Sequence, residues 1–257
     1  MREFFGFGGY TREPEGFMSW QHLLFVTSLL AVMTVLAVVF GKSNRNKSLQ
    51  SKNKALVAAA VAIDSLELFK IILMCFRSQD PMDWLYNLPL FLCSIQLITI
   101  PLAAFSGGRV KEAALDFISI FGILGAVLGT YGAGQNYGCY PVLSFDNVVS
   151  GITHCISGFA SLYILISGMA SMKRKNVPIT FSILLGVCVL AYVANILVDY
   201  NYMFLMRGDG TPYDILYNLV GGHQVLYPVG VVVLFLVYIV GYYGVFYLAT
   251  RKKKVSV

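Results

Sequence analysis

Charge is what this chain has least of. Only 12% of its 257 residues are Asp, Glu, Lys or Arg, against about 25% in an average soluble domain. Hydrophobic residues make up 57% of it, and mean hydropathy is +0.70. That scarcity argues against a soluble enzyme, a nucleic-acid reader and a disordered chain. Histidine is nearly absent too: His22, His154 and His223 are the full set, and no pair has the H-x-x-x-H spacing of a metal site. No metal and no cofactor is expected. The five cysteines are odd in number, and Cys75, Cys93, Cys155 and Cys188 lie in apolar runs, which speaks against a disulfide framework. Cys139, in a loop, has no evident partner. The sequence also lacks a nucleotide-binding loop, a serine nucleophile elbow, a low-complexity stretch, a linker and an obvious repeat.

What is present is long apolar runs. A membrane helix needs about 20 apolar residues, and seven segments qualify: 20–40, 55–76, 84–105, 112–133, 147–171, 178–200 and 225–248. The expected architecture is all-α: one polytopic membrane domain over 1–257 with seven transmembrane helices. The first 16 residues hold Arg2, Glu3, Arg12, Glu13 and Glu15, and the run after them is too long for a signal h-region, so no cleavable signal is expected.

The net charge of +6 is unevenly spread. Lys42, Arg45, Lys47, Lys52 and Lys54 lie between the first two segments. Arg109 and Lys111 follow the third, Lys173, Arg174 and Lys175 the fifth, and Arg251 to Lys254 the last. The alternate loops hold Arg77, Asp80, Asp83, Asp146, Arg207, Asp209 and Asp214. This alternation predicts an N-terminus outside and a C-terminus in the cytoplasm. Trp20, Trp84, Tyr86, Tyr200 and Tyr202 fall near the outer interface, where aromatic belts sit. Gly122, Gly125, Gly129, Ala133, Gly151 and Gly158 allow close helix contacts, with Gly125 and Gly129 a small-xxx-small pair.

Polar groups inside such segments cost on the order of 2.5–3.5 kcal/mol each on insertion scales, so each requires a reason. Asp64, Glu67 and Lys70 share one face of the second segment; they form either a structural ion pair or the wall of a lipid or ion site. In the third segment, Pro89 and Pro101 loosen the backbone on either side of Cys93. His154 lies in the fifth. At about 1.5 Å per residue, Cys93 and His154 both fall roughly 10–14 Å below the outer starts of their predicted helices. A buried thiol needs a base to become a nucleophile, and these two groups at one depth supply such a pair. His22, Glu67, Gln96, Asn195, Asn201 and Tyr202 are candidates for orientation or lipid binding around them.

The run Leu88-Pro89-Leu90-Phe91-Leu92-Cys93-Ser94-Ile95, the distal His154, Asn195, and Asn201 to Leu205, with His22 and Gly210-Thr211, resembles the YwaF-like integral membrane family, which includes transmembrane protein 164-like acyltransferases. The resemblance spans most of the chain. It implies acyl transfer between phospholipid and lysophospholipid, ether lipids included, with Cys93 as nucleophile and His154 as base. The partners would be membrane lipids, with no nucleic acid, and the location a multi-pass protein of the plasma membrane. Two features depart from the pattern. Phe91 stands where the family commonly has a histidine, and Tyr213 to Tyr227 lacks the expected tryptophans.

Two other classes fit parts of the sequence. A transporter could use Asp64, Glu67, Lys70, Asp116 and Asp199. A retinal protein would need a lysine in the last segment, which has none; Lys70 is the only intramembrane lysine.

Overall fold

The computed structural model describes residues 1–255, with side chains described through Thr250. It is helical, with no strand among the described residues. The helices are α1 (Trp20–Asn44), α2 (Leu49–Ser78), α3 (Gln96–Phe105), α4 (Gly108–Tyr131), α5 (Gly134–Cys139), α6 (Phe145–Ser167), α7 (Val177–Val198), α8 (Tyr213–Leu219) and α9 (Leu226–Val255). Five stretches are long and apolar enough to cross a membrane: 20–44, 108–139, 145–167, 174–198 and 226–250. The protein is a membrane protein, and the apolar side chains exposed along α1, α7 and α9 face lipid rather than water.

Local chemistry sets the ends. Ser19, Ser48 and Ser144 each stand just before a helix and accept a backbone N–H from its first turn, at 3.2, 3.3 and 3.3 Å. α6 stops at Gly168, whose φ of 74° is the left-handed geometry of a helix C-terminus, and its N–H returns to the carbonyls of Ile164 and Leu165.

The sequence predicts one continuous helix over 84–105, and the structure corrects this. A 3₁₀ turn covers Asp83–Asn87, an irregular turn follows over 88–95, and only Gln96–Phe105 is α-helical. The cause is Pro89. The residue before a proline is driven out of the helical region, and Leu88 is extended at φ −60°, ψ 147°. At ten residues, α3 covers about 15 Å, too short to cross hydrocarbon alone. Pro101, by contrast, remains inside α3.

The chain forms two compact units. The first comprises 1–88 and 96–170, the second 89–95 and 171–257.

In the first unit α4 is central: 72% of its apolar window is buried, against 17% for α1. Its core joins Leu56, Ala60 and Ile63 of α2, Ile100 and Ala103 of α3, Ile118 of α4, and Ala160 and Ile164 of α6. Small residues bring α4 and α6 together: a Cβ on Gly122 would lie 2.6 Å from the carbonyl oxygen of Ser157. One turn away, the Ser161 hydroxyl donates to the carbonyl of Ser119 across 2.9 Å.

The two ends of this unit are held by opposite chemistry. At one end Lys52 donates to the carbonyl of Ser167 (2.7 Å), and Lys111 to that of Ala103 (2.7 Å) and to Asn53 (2.6 Å). These lysines satisfy the terminal carbonyls of α6 and α3, where the helix dipole favours a cation. At the other end Arg77 grips Asp146 with two nitrogens, at 2.6 and 2.8 Å. Tyr10 donates to the same carboxylate at 2.6 Å, and Arg77 reaches the Phe5 carbonyl at 3.1 Å. The N-terminal segment is thereby latched onto the start of α6, reinforced by the Phe145 N–H donating to the Phe4 carbonyl. Burial and the neighbouring Asp146 carboxylate push the Tyr10 phenol up to about 12.

In the second unit, α7 and α9 pack together, with the hydroxyls of Thr180 and Tyr243 3.2 Å apart. Arg174 lies 4.3 Å above the ring of Tyr247. The connections before and after α8 are braced by aromatic side chains. His223 caps α9, its Nδ1 accepting the N–H groups of Val225 and Leu226 at 3.2 and 3.3 Å.

Candidate functional site

Cys93 lies in the irregular turn, half-buried, within the second unit. Ser94 holds that turn with both ends of its hydroxyl. It accepts the Phe91 N–H at 3.0 Å and donates to the Phe91 carbonyl at 3.1 Å. The Ile95 N–H donates to the same carbonyl, 3.0 Å away. Phe91 is fixed by rings of the same unit: Tyr202 at 5.2 Å, Phe204 at 5.8 Å and Tyr200 at 6.2 Å between centroids. Phe91 is therefore a packing anchor two residues from the thiol. The depth assigned to Cys93 from the sequence assumed an unbroken helix, and the unwound backbone removes that arithmetic.

His154 belongs to the first unit, half-buried on α6 and about 14 Å along it from Phe145. Its Nδ1 is 2.7 Å from the backbone carbonyl of Ser150. A carbonyl only accepts, so in the neutral ring Nδ1 carries the proton and Nε2 the lone pair. The Nε2–Cδ2 edge rests on Gly129 of α4. Cys155 beside it points elsewhere, into a cluster with Met33 and Ala126.

Residues 17–243 match the model of the TMEM164 family. The chain belongs to the TMEM164 family. No curated protein and no solved structure matches it.

The remaining predicted site residues of this TMEM164-family protein are divided between the units. His22, expected as a lipid-binding group, is fully buried, with both ring nitrogens bonded to backbone. The Met18 N–H donates to Nδ1 at 3.1 Å, and Nε2 donates to the Thr130 carbonyl at 3.1 Å. Its ring lies 3.9 Å from that of Tyr137. It is a staple between the N-terminal segment, α1 and α4. Glu67 is ion-paired with Lys70 on α2. Gln96 is fully buried; its Oε1 accepts from Thr99 at 2.9 Å, and its Nε2 has no hydrogen-bond partner.

In the second unit the amides of Asn195 and Asn201 serve the backbone. Asn195 accepts the Tyr202 N–H at 2.6 Å and donates to the Tyr202 carbonyl at 3.0 Å. Asn201 accepts from the Met206 N–H at 2.9 Å and donates to the Arg207 carbonyl and to Asp209. Together they brace a loop in which Asp199, Met203, Phe204 and Asp209 all have positive φ. Tyr202 is fully buried under Phe91. Near this loop, burial raises the Tyr200 phenol above its ordinary value, aided by the Asp209 charge.

One groove is evident in the first unit. It has a volume of about 500 Å³, is open, and is lined by α3 residues such as Leu97, Pro101 and Phe105, with Asp64 of α2. Oδ1 of Asp64 is buried without a hydrogen-bond partner. Among the described residues no group of three or more His, Cys, Asp or Glu side chains could hold a metal ion.

In the sequence Arg77 and Asp146 read only as loop charges, and nothing there points to the latch they form with Tyr10. Gly129 was visible only as one of several contact glycines.

Proposed function

We propose that this protein is a thiol-dependent phospholipid acyltransferase of the plasma membrane, with seven spans, its N-terminus outside and its C-terminus cytoplasmic. The 30 residues of α2 cover about 45 Å, enough for a span. The third span would combine the unwound stretch with α3.

The observation that carries the reading is the turn at Cys93. In a membrane protein unwound backbone is tolerated where it is buried in protein or lines a cavity, and the unwound stretch 88–95 carries a half-buried thiol. The reaction class is taken from the resemblance of the Leu88–Ile95 run, and membership in the TMEM164 family is consistent with it.

In the proposed reaction, Cys93 is the nucleophile, its Sγ attacking the ester carbonyl carbon of a phospholipid, and the base that takes up the thiol proton is assigned to His154. The carbon–oxygen ester bond breaks, the departing lysophospholipid oxygen takes that proton, and the acyl chain is held as a thioester. A second lysophospholipid hydroxyl, deprotonated by His154, then attacks the thioester, and the thiol is regenerated. Glu67, Gln96, Asn195, Asn201 and Tyr202 are assigned to shaping and lipid binding, Asn195 and Asn201 by holding their loop. The test is lipid turnover by purified protein in mixed phospholipid. Cys93→Ala and His154→Asn should each lose it while remaining folded; full turnover by Cys93→Ala would sink the reading.

A second reading, ion or small-solute transport, is favoured by one observation: the unpartnered oxygen of Asp64 beside an open groove. Flux into proteoliposomes that fails in Asp64→Asn and Glu67→Gln would support it, and no flux across a broad solute panel would dismiss it.

A further inference from the structure

Gly129 and Ser150 lie on different helices, and the His154 ring is held between them. The carbonyl of Ser150 accepts from Nδ1 at 2.7 Å, with the Ser150 hydroxyl at 3.5 Å from the same nitrogen. The opposite edge of the ring occupies the space where any other residue at 129 would carry a side chain. A Cβ there would lie 2.0 Å from Cδ2, 2.1 Å from Nε2 and 2.9 Å from Cγ. No van der Waals contact survives at such distances. The three nearest atoms to that Cβ all belong to His154, so the missing side chain at 129 serves this ring rather than general helix contact. Gly122 differs: there the nearest atom is a backbone oxygen of the facing helix.

We infer that Gly129 is a positioning residue for His154. It leaves the slot that admits the Nε2 edge, while the Ser150 carbonyl fixes the tautomer. The pair thus sets both where the imidazole stands and which nitrogen carries the lone pair. The inference rests on the proposed role of His154 as base for its bearing on activity, but its geometric content stands alone. A helix pair joined at small residues is a rigid support, which a base acting through one nitrogen requires.

The test uses full-length protein carrying ¹⁵N-histidine in lipid nanodiscs, with the His154 signals identified by their loss in His154→Asn. In the wild type above neutral pH, His154 is expected as the Nδ1-protonated tautomer. In Gly129→Ala its ring signals shift, and kcat falls by about 100-fold, the loss that a misplacement of about 1 Å brings, with KM nearly unchanged. An Nε2-protonated wild type, or ring signals unmoved by Gly129→Ala, overturns the inference. If the ring behaves as expected but His154→Asn still transfers acyl chains, the positioning stands and the role of His154 as base falls. Should Gly129→Ala fail to fold, Gly129→Ala/His154→Ala recovers the lost Tm, because the methyl enters the space the ring has left. Failure of that double variant to recover would equally overturn it.

Discussion

The two compact units hold their polar residues in different ways, and the contrast explains where chemistry is able to reside. The first unit is built from helix pairs drawn together at small residues, with polar groups bonded across helices or to helix ends: Ser161 to Ser119, Lys52 to Ser167, Arg77 to Asp146. The second unit has only two long helices, α7 and α9, and its connecting turns are shaped by side chains instead. Ser94 folds the Cys93 turn, Asn195 and Asn201 brace the 199–209 loop, and Phe91, Tyr200 and Tyr202 fill the space between. Helix-held side chains are rigid but tied to helical backbone geometry. Turn-held ones can present a thiol outside it.

The sharpest way to break this comparison is to pit a turn cysteine against a helix cysteine. Cys93→Ala should lower lipid turnover by more than about 1000-fold, as loss of a nucleophile does. Cys155→Ala, in the buried cluster beside Met33 and Ala126, should keep turnover and lower Tm only slightly. Equal losses in both would mean that the turn has no special standing.

The next largest effect concerns the first unit. Arg77→Ala strands the Asp146 carboxylate, which is only 7% exposed, and should destabilise by about 3 kcal/mol. Hydrogen exchange should quicken in the N-terminal segment and at the start of α6, and a protein with unchanged exchange there would show the latch to be idle. In the second unit, Asn195→Ala removes both amide hydrogen bonds to the backbone of buried Tyr202 and should cost about 2 kcal/mol, with exchange quickened over 199–209. Changes that appeared in the opposite unit for either variant would erase the contrast.

The smallest effect is one of pH. Tyr10 titrates near 10 in the unfolded chain and is pushed up to about 12 in the folded one. A raised value means that the protonated phenol is favoured by folding. Its contribution is therefore complete below pH 10 and is lost as pH rises through 12. Tyr10→Phe should lower Tm at neutral pH by the loss of one hydrogen bond, about 1 kcal/mol, and should flatten the decline of Tm across that alkaline window. An unchanged slope would mean that Tyr10 is not part of the latch.

Much of the fold can be read from hydropathy alone, because α1, α4, α6, α7 and α9 are continuous apolar stretches with serine or glycine at several ends. The third stretch shows where that reading stops. Hydropathy is blind to backbone conformation, so 84–105 looks like one span. Pro89 was legible as a weakness, but the Ser94 hydroxyl bonding both the N–H and the carbonyl of Phe91 is a tertiary detail. His22 shows a related limit: a histidine two residues into a helix reads as available, and only the fold brings the Met18 N–H and the Thr130 carbonyl to its two nitrogens. Gly129 was legible as small, but not as small on behalf of His154.

The most direct test of the central claim is the intact mass of purified protein after incubation with mixed phospholipids, beside Cys93→Ala. The account predicts a fatty-acyl adduct on the wild type alone, removed by hydroxylamine as a thioester is. An adduct on both proteins, or none on the wild type with an unchanged lipid profile, would contradict it.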